Sequence, residues 1–193
     1  MKPCLCTILA CALLLMPLQA RASGVKARQE YFTRNYEAAL RLARPAAEQG
    51  DDVAMLILGL MYYHGRVVQQ DFKEAFRWWK ASAEGGNCKS QSNLGLMLRM
   101  GTGVSKNLAE AARWYQLSAD QNCPSGYRGL GEMYEKGQLF AKDNTRATEL
   151  YRKAEVLFKE ELANDPSDEE SLKSNIRFVT YKIKNLTPTA STP

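Results

Sequence analysis

Few side chains in this sequence could carry out chemistry, and they are dispersed. His64 is the only histidine, and it lies at the predicted C-terminal end of a helix, where a capping or solvated role accounts for it. No cluster of histidine and cysteine has the composition of a zinc site. The sequence also holds no G-x-S-x-G nucleophile motif and no phosphate-binding loop. We therefore expect no catalytic residue, no metal site, no cofactor and no enzymatic activity.

Two short motifs fit structural roles better than functional ones. Gly101-Thr102-Gly103 follows no predicted strand, so it reads as a turn and not as a nucleotide-binding loop. The acidic run Asp168-Glu169-Glu170 begins a predicted helix, where the helix dipole favours negative charge.

The first 22 residues have the three parts of a secretory signal. Lys2 gives a positive start, residues 5–18 form an apolar run, and Ala20-Arg21-Ala22 places small residues at the cleavage positions. The run is shorter than the roughly 20 residues that a membrane-spanning helix needs. We expect cleavage after Ala22 and a periplasmic mature protein. A lipoprotein processed at Cys11 is the alternative, which is disfavoured because much of the apolar run would follow the cut.

Removal of this segment leaves a mildly basic chain. The full sequence has 26 basic and 21 acidic residues, and Lys2 and Arg21 would leave with the signal, so that 24 − 21 gives +3. This charge is too small to predict binding to nucleic acid or to an anionic membrane. Of the five cysteines, only Cys88 and Cys123 would remain.

The rest of the chain is organised by a pattern with a period of 36 residues. A period of this size indicates an array of supersecondary units. The recurring positions are Leu58-Gly59, Leu94-Gly95 and Leu130-Gly131; Gly65, Gly101 and Gly137; Ala75, Ala111 and Ala147; and Trp79, Tyr115 and Tyr151. Each copy predicts a helix A that ends at a glycine and a helix B that begins at an N-cap residue, Asp71, Asn107 or Asp143.

A glycine recurs in the middle of each helix A, at positions 59, 95 and 131. Glycine there costs about 1 kcal/mol relative to alanine. Its recurrence predicts that a neighbouring helix or aromatic ring packs closely against the backbone at these positions.

The repeat resembles the Sel-1-like repeat family, which is related to tetratricopeptide repeats. The second copy carries most of the family pattern: Leu94-Gly95, Gly101-Thr102-Gly103-Val104, Asn107, Ala111 and Trp114. In the first copy Val67 stands where the second loop glycine belongs, and in the third Gln138, Leu139 and Phe140 replace the loop glycine and valine. The resemblance covers residues 31 to about 155.

The repeat and the resemblance together predict an all-α fold, a right-handed α-solenoid of helix-turn-helix repeats with an N-terminal half-repeat and a C-terminal capping helix. The predicted segments are a signal peptide 1–22, an N-terminal B-type helix 23–50, repeats 51–86, 87–122 and 123–158, a capping helix 159–186 and a disordered tail 187–193.

The two remaining cysteines lie 35 positions apart, at nearly equivalent places in the second and third copies. Equivalent positions in stacked repeats are often farther apart than the roughly 7 Å between Cα atoms that a disulfide allows. Two lone cysteines in an oxidising compartment nevertheless tend to be paired. The sequence alone does not decide whether Cys88 and Cys123 form a disulfide.

By resemblance to tetratricopeptide arrays, helix A lines the concave face, which is the expected partner-binding groove. Its predicted residues are Leu56, Leu60, Tyr63, Leu96, Arg99, Arg128, Glu132 and Glu135. The groove would change from apolar to charged along the chain. Alternatively, the N-terminal helix covers the apolar patch at Leu56, Leu60 and Tyr63.

We therefore expect a non-enzymatic, monomeric periplasmic module that holds a protein or peptide in its concave groove. The family resemblance implies scaffolds, host-contact factors and immunity proteins among exported members. One alternative is an immunity protein that neutralises a type VI secretion phospholipase effector. A hydrolase acting on β-lactams or cell-wall material is disfavoured, since the sequence lacks the cysteine pairs of such relatives. The expected partner is an envelope component or a toxin effector, with no nucleic acid and no membrane-spanning segment in the mature chain.

Overall fold

The computed structural model describes residues 22–187, all of whose regular secondary structure is helical. The predicted signal segment up to Arg21, with its possible lipoprotein cysteine, and most of the predicted tail lie outside the described residues. The chain divides into two compact units, the first ending at Gly86 and the second beginning at Asn87, and each is described by itself.

The first unit contains four helices in the described residues. They are α1 (22–32), α2 (Tyr36–Glu48), α3 (Asp52–His64) and α4 (Phe72–Glu84). The single helix that the sequence predicts over 23–50 is thus divided in two. Arg34 takes a left-handed backbone conformation, with φ of 65°, and this ends α1. No glycine or proline marks the break, which is why the sequence pattern does not show it.

The second unit contains five α-helices within the described residues. They are α5 (Cys88–Met100), α6 (Leu108–Asp120), α7 (Pro124–Lys136), α8 (Asn144–Asn164) and, after a 3₁₀ turn over Pro166–Asp168, α9 (Glu169–Leu186). The capping helix predicted over 159–186 begins ten residues later, because α8 continues to Asn164. Ser167 lies in the 3₁₀ turn, where its N–H donates to the Asp165 carboxylate at 3.1 Å.

The caps that the repeat pattern predicts are present. Helix A of each copy (α3, α5 and α7) ends at a left-handed glycine, and the φ angles at Gly65, Gly101 and Gly137 are 63°, 77° and 63°. The carboxylate or amide oxygens of Asp71, Asn107 and Asp143 accept from backbone N–H groups at the start of helix B (α4, α6 and α8). These local interactions fix the length of each helical hairpin.

The predicted close contacts at the mid-helix glycines are confirmed. A Cβ atom at Gly59 would overlap the Trp79 indole, and the corresponding atoms at Gly95 and Gly131 would lie 2.9 and 2.8 Å from the rings of Tyr115 and Tyr151. Each ring belongs to helix B of the same copy. The recurring glycine therefore makes room for the recurring aromatic residue 20 positions later.

Gly126 packs against backbone and not against a ring. It occupies the repeat position of Ala54 and Ser90, yet a Cβ here would lie 2.5 Å from the Ala119 nitrogen and 2.7 Å from the Tyr115 carbonyl oxygen. Backbone atoms of α6 cannot yield unless the helix moves. We expect Gly126→Ala to lower the free energy of unfolding by about 1–3 kcal/mol, although alanine improves helix propensity by about 1 kcal/mol.

Urea denaturation followed by circular dichroism measures this loss. Gly95→Ala is the matched control and should cost less, since its Cβ would lie 2.9 Å from the edge of the Tyr115 ring and 3.2 Å from the Ala111 carbonyl oxygen, farther than the backbone atoms that face Gly126. An unchanged or raised midpoint for Gly126→Ala would show that α6 and α7 do not approach this closely.

Each unit has a hydrophobic core between consecutive helices. In the first unit, alanines of α1 and α2 pack against α3; the buried residues are Ala27, Ala43, Ala46, Ala47, Ala54, Ile57, Leu58 and Met61. At the end of the second unit, α9 buries Leu172 and Val179 against the Tyr151 and Phe158 side chains of α8. The last helix thus covers an apolar face of α8, as a terminal cap of a repeat array must.

Candidate functional site

The predicted apolar end of the groove is largely packed inside the first unit. Leu56 is only 5% exposed, so its side chain offers little surface to a partner. Its carbonyl oxygen accepts a hydrogen bond from Trp79 Nε1 at 3.2 Å.

Leu60 and Tyr63 are half-buried and have partners of their own. Leu60 packs against the core to which α1 and α2 contribute. The Tyr63 ring lies 5.1–5.3 Å, between centroids, from the rings of His64, Phe72 and Trp79. Of the two interpretations that the sequence leaves open, the packing of Leu60 favours a patch covered by the N-terminal helices, whereas the ring partners of Tyr63 belong to α3 and α4.

Leu60→Ala is therefore expected to destabilise the fold rather than to weaken binding selectively. Removing a half-buried leucine side chain should cost about 1–2 kcal/mol. Leu117→Ala, at a leucine that is 44% exposed on α6, is the control and should change the melting temperature little. A Leu60→Ala protein with an unchanged melting curve and lost binding would restore the groove interpretation.

The groove residues predicted in the second unit are joined to one another. The Arg99 and Glu132 side chains are 4% and 10% exposed, and Arg99 Nη2 lies 2.7 Å from Glu132 Oε2. Arg128 Nη1 lies 3.3 Å from the other oxygen of the same carboxylate. Arg99 Nε also donates to the Tyr115 hydroxyl at 3.4 Å. Leu96, the remaining predicted residue of α5, is half-buried.

Glu135 makes a second set of internal contacts. Its carboxylate accepts hydrogen bonds of 2.7 Å from both the Tyr151 hydroxyl and Lys182 Nζ. Burial opposes ionisation of this carboxyl group, but the two hydrogen bonds outweigh burial and lower its pKa. Burial, followed by the bond to Glu135, raises the pKa of Tyr151, so the phenol stays protonated.

The C-terminal helix reaches over the same face. Lys182 and Phe178 both belong to α9, and the Arg128 guanidinium lies 5.6 Å from the Phe178 ring centroid. We call Arg99, Arg128, Glu132, Glu135 and Lys182 the inner ion-pair network. It links α5, α7 and α9, so the side chains that the sequence predicts for a partner are used within the protein.

Cys88 and Cys123 are joined in the structure, with Cα atoms 6.0 Å apart. Cys88 is the first residue of α5, and Cys123 is the N-cap of α7. The Ser118 hydroxyl of α6 donates to the Cys88 carbonyl oxygen at 2.9 Å. The linkage therefore connects the starts of helix A in the second and third copies, at a separation within the range of protein disulfides.

A further cluster of charges lies between α5 and the end of α8. Lys89 pairs with Glu161, and Asp168 lies near both. Burial raises the pKa of Asp168 to about 6, against the opposing effects of Lys89 and Ser171 and with a smaller contribution from Glu161. Within the acidic run at 168–170, the Asp168 carboxyl group thus lies in a desolvated environment.

This raised pKa makes a prediction about stability and pH. A carboxyl group whose pKa is higher in the folded protein favours folding when protonated, and this contribution is lost as the pH rises through about 6. We expect Asp168→Asn to raise the melting temperature relative to wild type at pH 7 and to leave it nearly unchanged at pH 4. Glu169→Gln, at an exposed neighbour, should show no such pH-dependent difference. If the melting temperatures of wild type and Asp168→Asn differed by the same amount at pH 4 and at pH 7, the raised pKa of Asp168 would be contradicted.

His64 and the other potential metal ligands do not assemble a site. The exposed His64 ring packs on Tyr63, and partial desolvation, with a smaller effect from Arg66, lowers its pKa. Within residues 22–187 no group of three or more histidine, cysteine, aspartate or glutamate side chains could hold a metal ion.

The structure shows one surface feature that the sequence did not predict, a cleft of about 330 Å³ in the first unit. We call it the α2 cleft. It is lined by Glu37, Leu40, Arg41, Arg44, Pro45 and Val67. Val67 takes a left-handed conformation with φ of 51° and is 45% exposed, where the family pattern has a glycine. A β-branched residue is strained in this conformation. In the sequence, the only indication of this cleft is Val67 at the position where the family pattern has a glycine.

These features define an all-α protein built of helical hairpin repeats. A family model, the Sel1 repeat, matches residues 29–51, 52–87, 88–123 and 124–155. The chain therefore belongs to the Sel1 repeat family, and the predicted fold class is confirmed. The half-repeat that the sequence indicated before the three full copies is the first of these four matches.

Several solved structures share this fold, and two of them illustrate the similarity. One is a Sel1 repeat protein from Oxalobacter formigenes, with 27% identity, a TM-score of 0.60 and coverage of 77% of this chain and 63% of that chain. The other is c5321, a protective antigen present in uropathogenic Escherichia coli strains that displays an SLR fold, with 34% identity, a TM-score of 0.60 and coverage of 74% of this chain and 32% of that chain. This chain thus spans less than two thirds of either. No curated protein is significantly similar to the sequence.

Membership of this family indicates a coarse class of function. Sel1 repeats are helical scaffolds that are generally non-catalytic and that mediate contacts between proteins. In the part of the chain that the structure describes, no helix has the length and apolar character needed to cross a membrane.

Proposed function

We propose that this chain is an exported, non-enzymatic module that binds another protein in the periplasm. The observation that carries the location is the Cys88–Cys123 linkage, because disulfides persist in oxidising compartments and are rare in the cytosol. The signal-like pattern of residues 1–22 supports the same location. The repeat family supports protein binding as the activity.

The α2 cleft is the best candidate for the contact surface. Arg41 and Arg44 are exposed and three positions apart on α2, and neither has an ion-pair partner within residues 22–187. In contrast, the arginines of the inner ion-pair network are already paired. Leu40, Pro45 and Val67 supply apolar surface beside the two guanidinium groups. This combination suits a partner segment that carries an acidic residue next to an apolar one.

Charge reversal in the cleft tests this function. The double variant Arg41→Glu/Arg44→Glu and the control Arg113→Glu, at an exposed arginine on α6, would each be exported with a tag and crosslinked before purification. We expect wild type and control to retain the same specific partner and the double variant to lose it, with all three melting alike. Retention of the partner by the double variant would exclude the cleft, and absence of any specific partner from all three would count against the function.

The identity of the captured protein separates the two roles that the family resemblance implies. A lipase-like toxin would identify an immunity protein, whereas an envelope component would identify a scaffold. Gene neighbourhood gives an independent check, since immunity genes lie beside the genes of their toxins.

A further inference from the structure

Gly24 of α1 lies directly against a buried carboxylate. A Cβ atom at Gly24 would overlap Asp51 Oδ1 and would lie 2.6 Å from Cγ and 2.9 Å from Oδ2. Asp51 is only 5% exposed. Glycine at position 24 therefore lets the backbone of α1 approach both oxygens of this side chain, which any larger residue would block.

Asp51 already has a structural role at the start of α3. It is the N-cap of that helix, and its Oδ1 accepts from the Ala54 N–H at 2.6 Å. A carboxylate this deeply buried is stabilised by further hydrogen bonds or by a nearby positive charge. Gly24 of α1 is one of the groups that the structure places beside it.

We propose that processing between Ala22 and Ser23 creates an ion pair between the new α-ammonium group of Ser23 and the Asp51 carboxylate. This inference rests on the proposed export. Hydrolysis of the peptide bond leaves a carboxylate on Ala22, which departs with the signal, and an ammonium group on Ser23. Ser23 directly precedes Gly24, so the new charge arises one residue from the contact with Asp51.

The new terminus also makes α1 begin at this point. The N-terminal end of a helix carries partial positive charge from its unpaired N–H groups, so the carboxylate would face a helix terminus as well as an ammonium group. Asp51 would then stabilise the starts of α1 and α3 together. Because α1 contributes the fully buried Ala27 to the core against which Leu60 packs, the ion pair would fix the helices that cover this patch.

The reactivity of the α-amino group tests the pair. Mature protein would be purified from the periplasm, and intact mass would establish that it begins at Ser23. Acetylation of Ser23 by a succinimidyl ester at pH 7 would then be followed by mass spectrometry for wild type, Asp51→Asn and Glu48→Gln. Asparagine caps a helix as well as aspartate does, so Asp51→Asn removes the charge and keeps the cap. Glu48 is an exposed carboxylate three residues earlier.

We expect Ser23 in wild type and Glu48→Gln to react about tenfold more slowly than in Asp51→Asn, since an ion pair that raises the amine pKa by about one unit reduces the reactive neutral form tenfold. Equal rates in wild type and Asp51→Asn would overturn the ion pair.

A double-mutant cycle gives a second readout that does not depend on chemical reactivity. A chain that retains Ala22 displaces the ammonium group by one residue. Retention of Ala22 and Asp51→Asn should each lower the melting temperature, and together they should lower it no further than either alone. Additive losses would overturn the proposal. Exported protein that begins at another residue would also overturn it while leaving the proposed periplasmic binding function intact.

Discussion

Arg99→Ala is expected to lower the free energy of unfolding by about 3–5 kcal/mol, because it leaves the carboxylate of Glu132 buried without its main partner. The Arg99 and Glu132 side chains are 4% and 10% exposed, so water cannot replace the lost guanidinium. Arg128 remains near the second carboxylate oxygen, at 3.3 Å, which places the expected value towards the lower end of this range. Urea denaturation followed by tryptophan fluorescence and circular dichroism measures the loss.

Two further variants show whether the loss comes from an unpaired buried charge. Arg146→Ala removes an arginine that pairs with Glu149 on the exposed face of α8, and it should cost less than about 1 kcal/mol. The double variant Arg99→Met/Glu132→Leu removes both buried charges and should recover much of the stability that Arg99→Ala loses. If Arg99→Ala costs no more than Arg146→Ala, the inner ion-pair network does not hold the second unit together.

Breaking the Cys88–Cys123 linkage is expected to cost about 3–4 kcal/mol, the loop-closure free energy for a separation of 35 residues. Because the linkage restricts the unfolded chain, the variant Cys88→Ser/Cys123→Ser should fold to the same helical structure with a lower urea midpoint. Either single substitution should cost as much as the double one, since each removes the whole linkage.

Thiol titration of the mature protein, unfolded without reductant, checks the bonded state directly. We expect no reactive thiol before reduction and two after it. Two reactive thiols before reduction would rule out the disulfide, and with it the observation that carries the proposed periplasmic location. The binding experiment with the α2 cleft variants would then have to support the function alone.

Features that depend on neighbours in sequence were predicted correctly. The left-handed glycines at 65, 101 and 137 and the N-caps of helix B follow from residue types at fixed positions. The glycine–aromatic contacts were also predictable, because a mid-helix glycine that recurs must have a packing reason. In each case the interacting residues belong to one copy of the repeat.

Features that depend on contacts between copies were not predictable. Arg99 meets Glu132 across 33 positions, and Glu135 meets Lys182 across 47, so no helical spacing connects them. Their charges alone suggested a surface that a partner would neutralise. The burial of Leu56 was not predictable for a related reason, since the sequence does not show that helix A packs on more than one side. The division between α1 and α2 at Arg34 was not predictable either, because no glycine or proline marks it.

The linkages within the second unit bear on how this chain can change in length during evolution. Repeat arrays commonly grow or shrink by whole copies, because each copy contacts mainly its neighbours. Here the Cys88–Cys123 linkage and the Arg99–Glu132 pair both connect the second copy to the third, and Glu135–Lys182 connects the third to the last helix. Duplicating a 36-residue copy at either junction would separate partners that now touch. The second unit is therefore expected to keep a constant number of repeats among orthologues, so that gain or loss of copies is confined to the chain before Asn87.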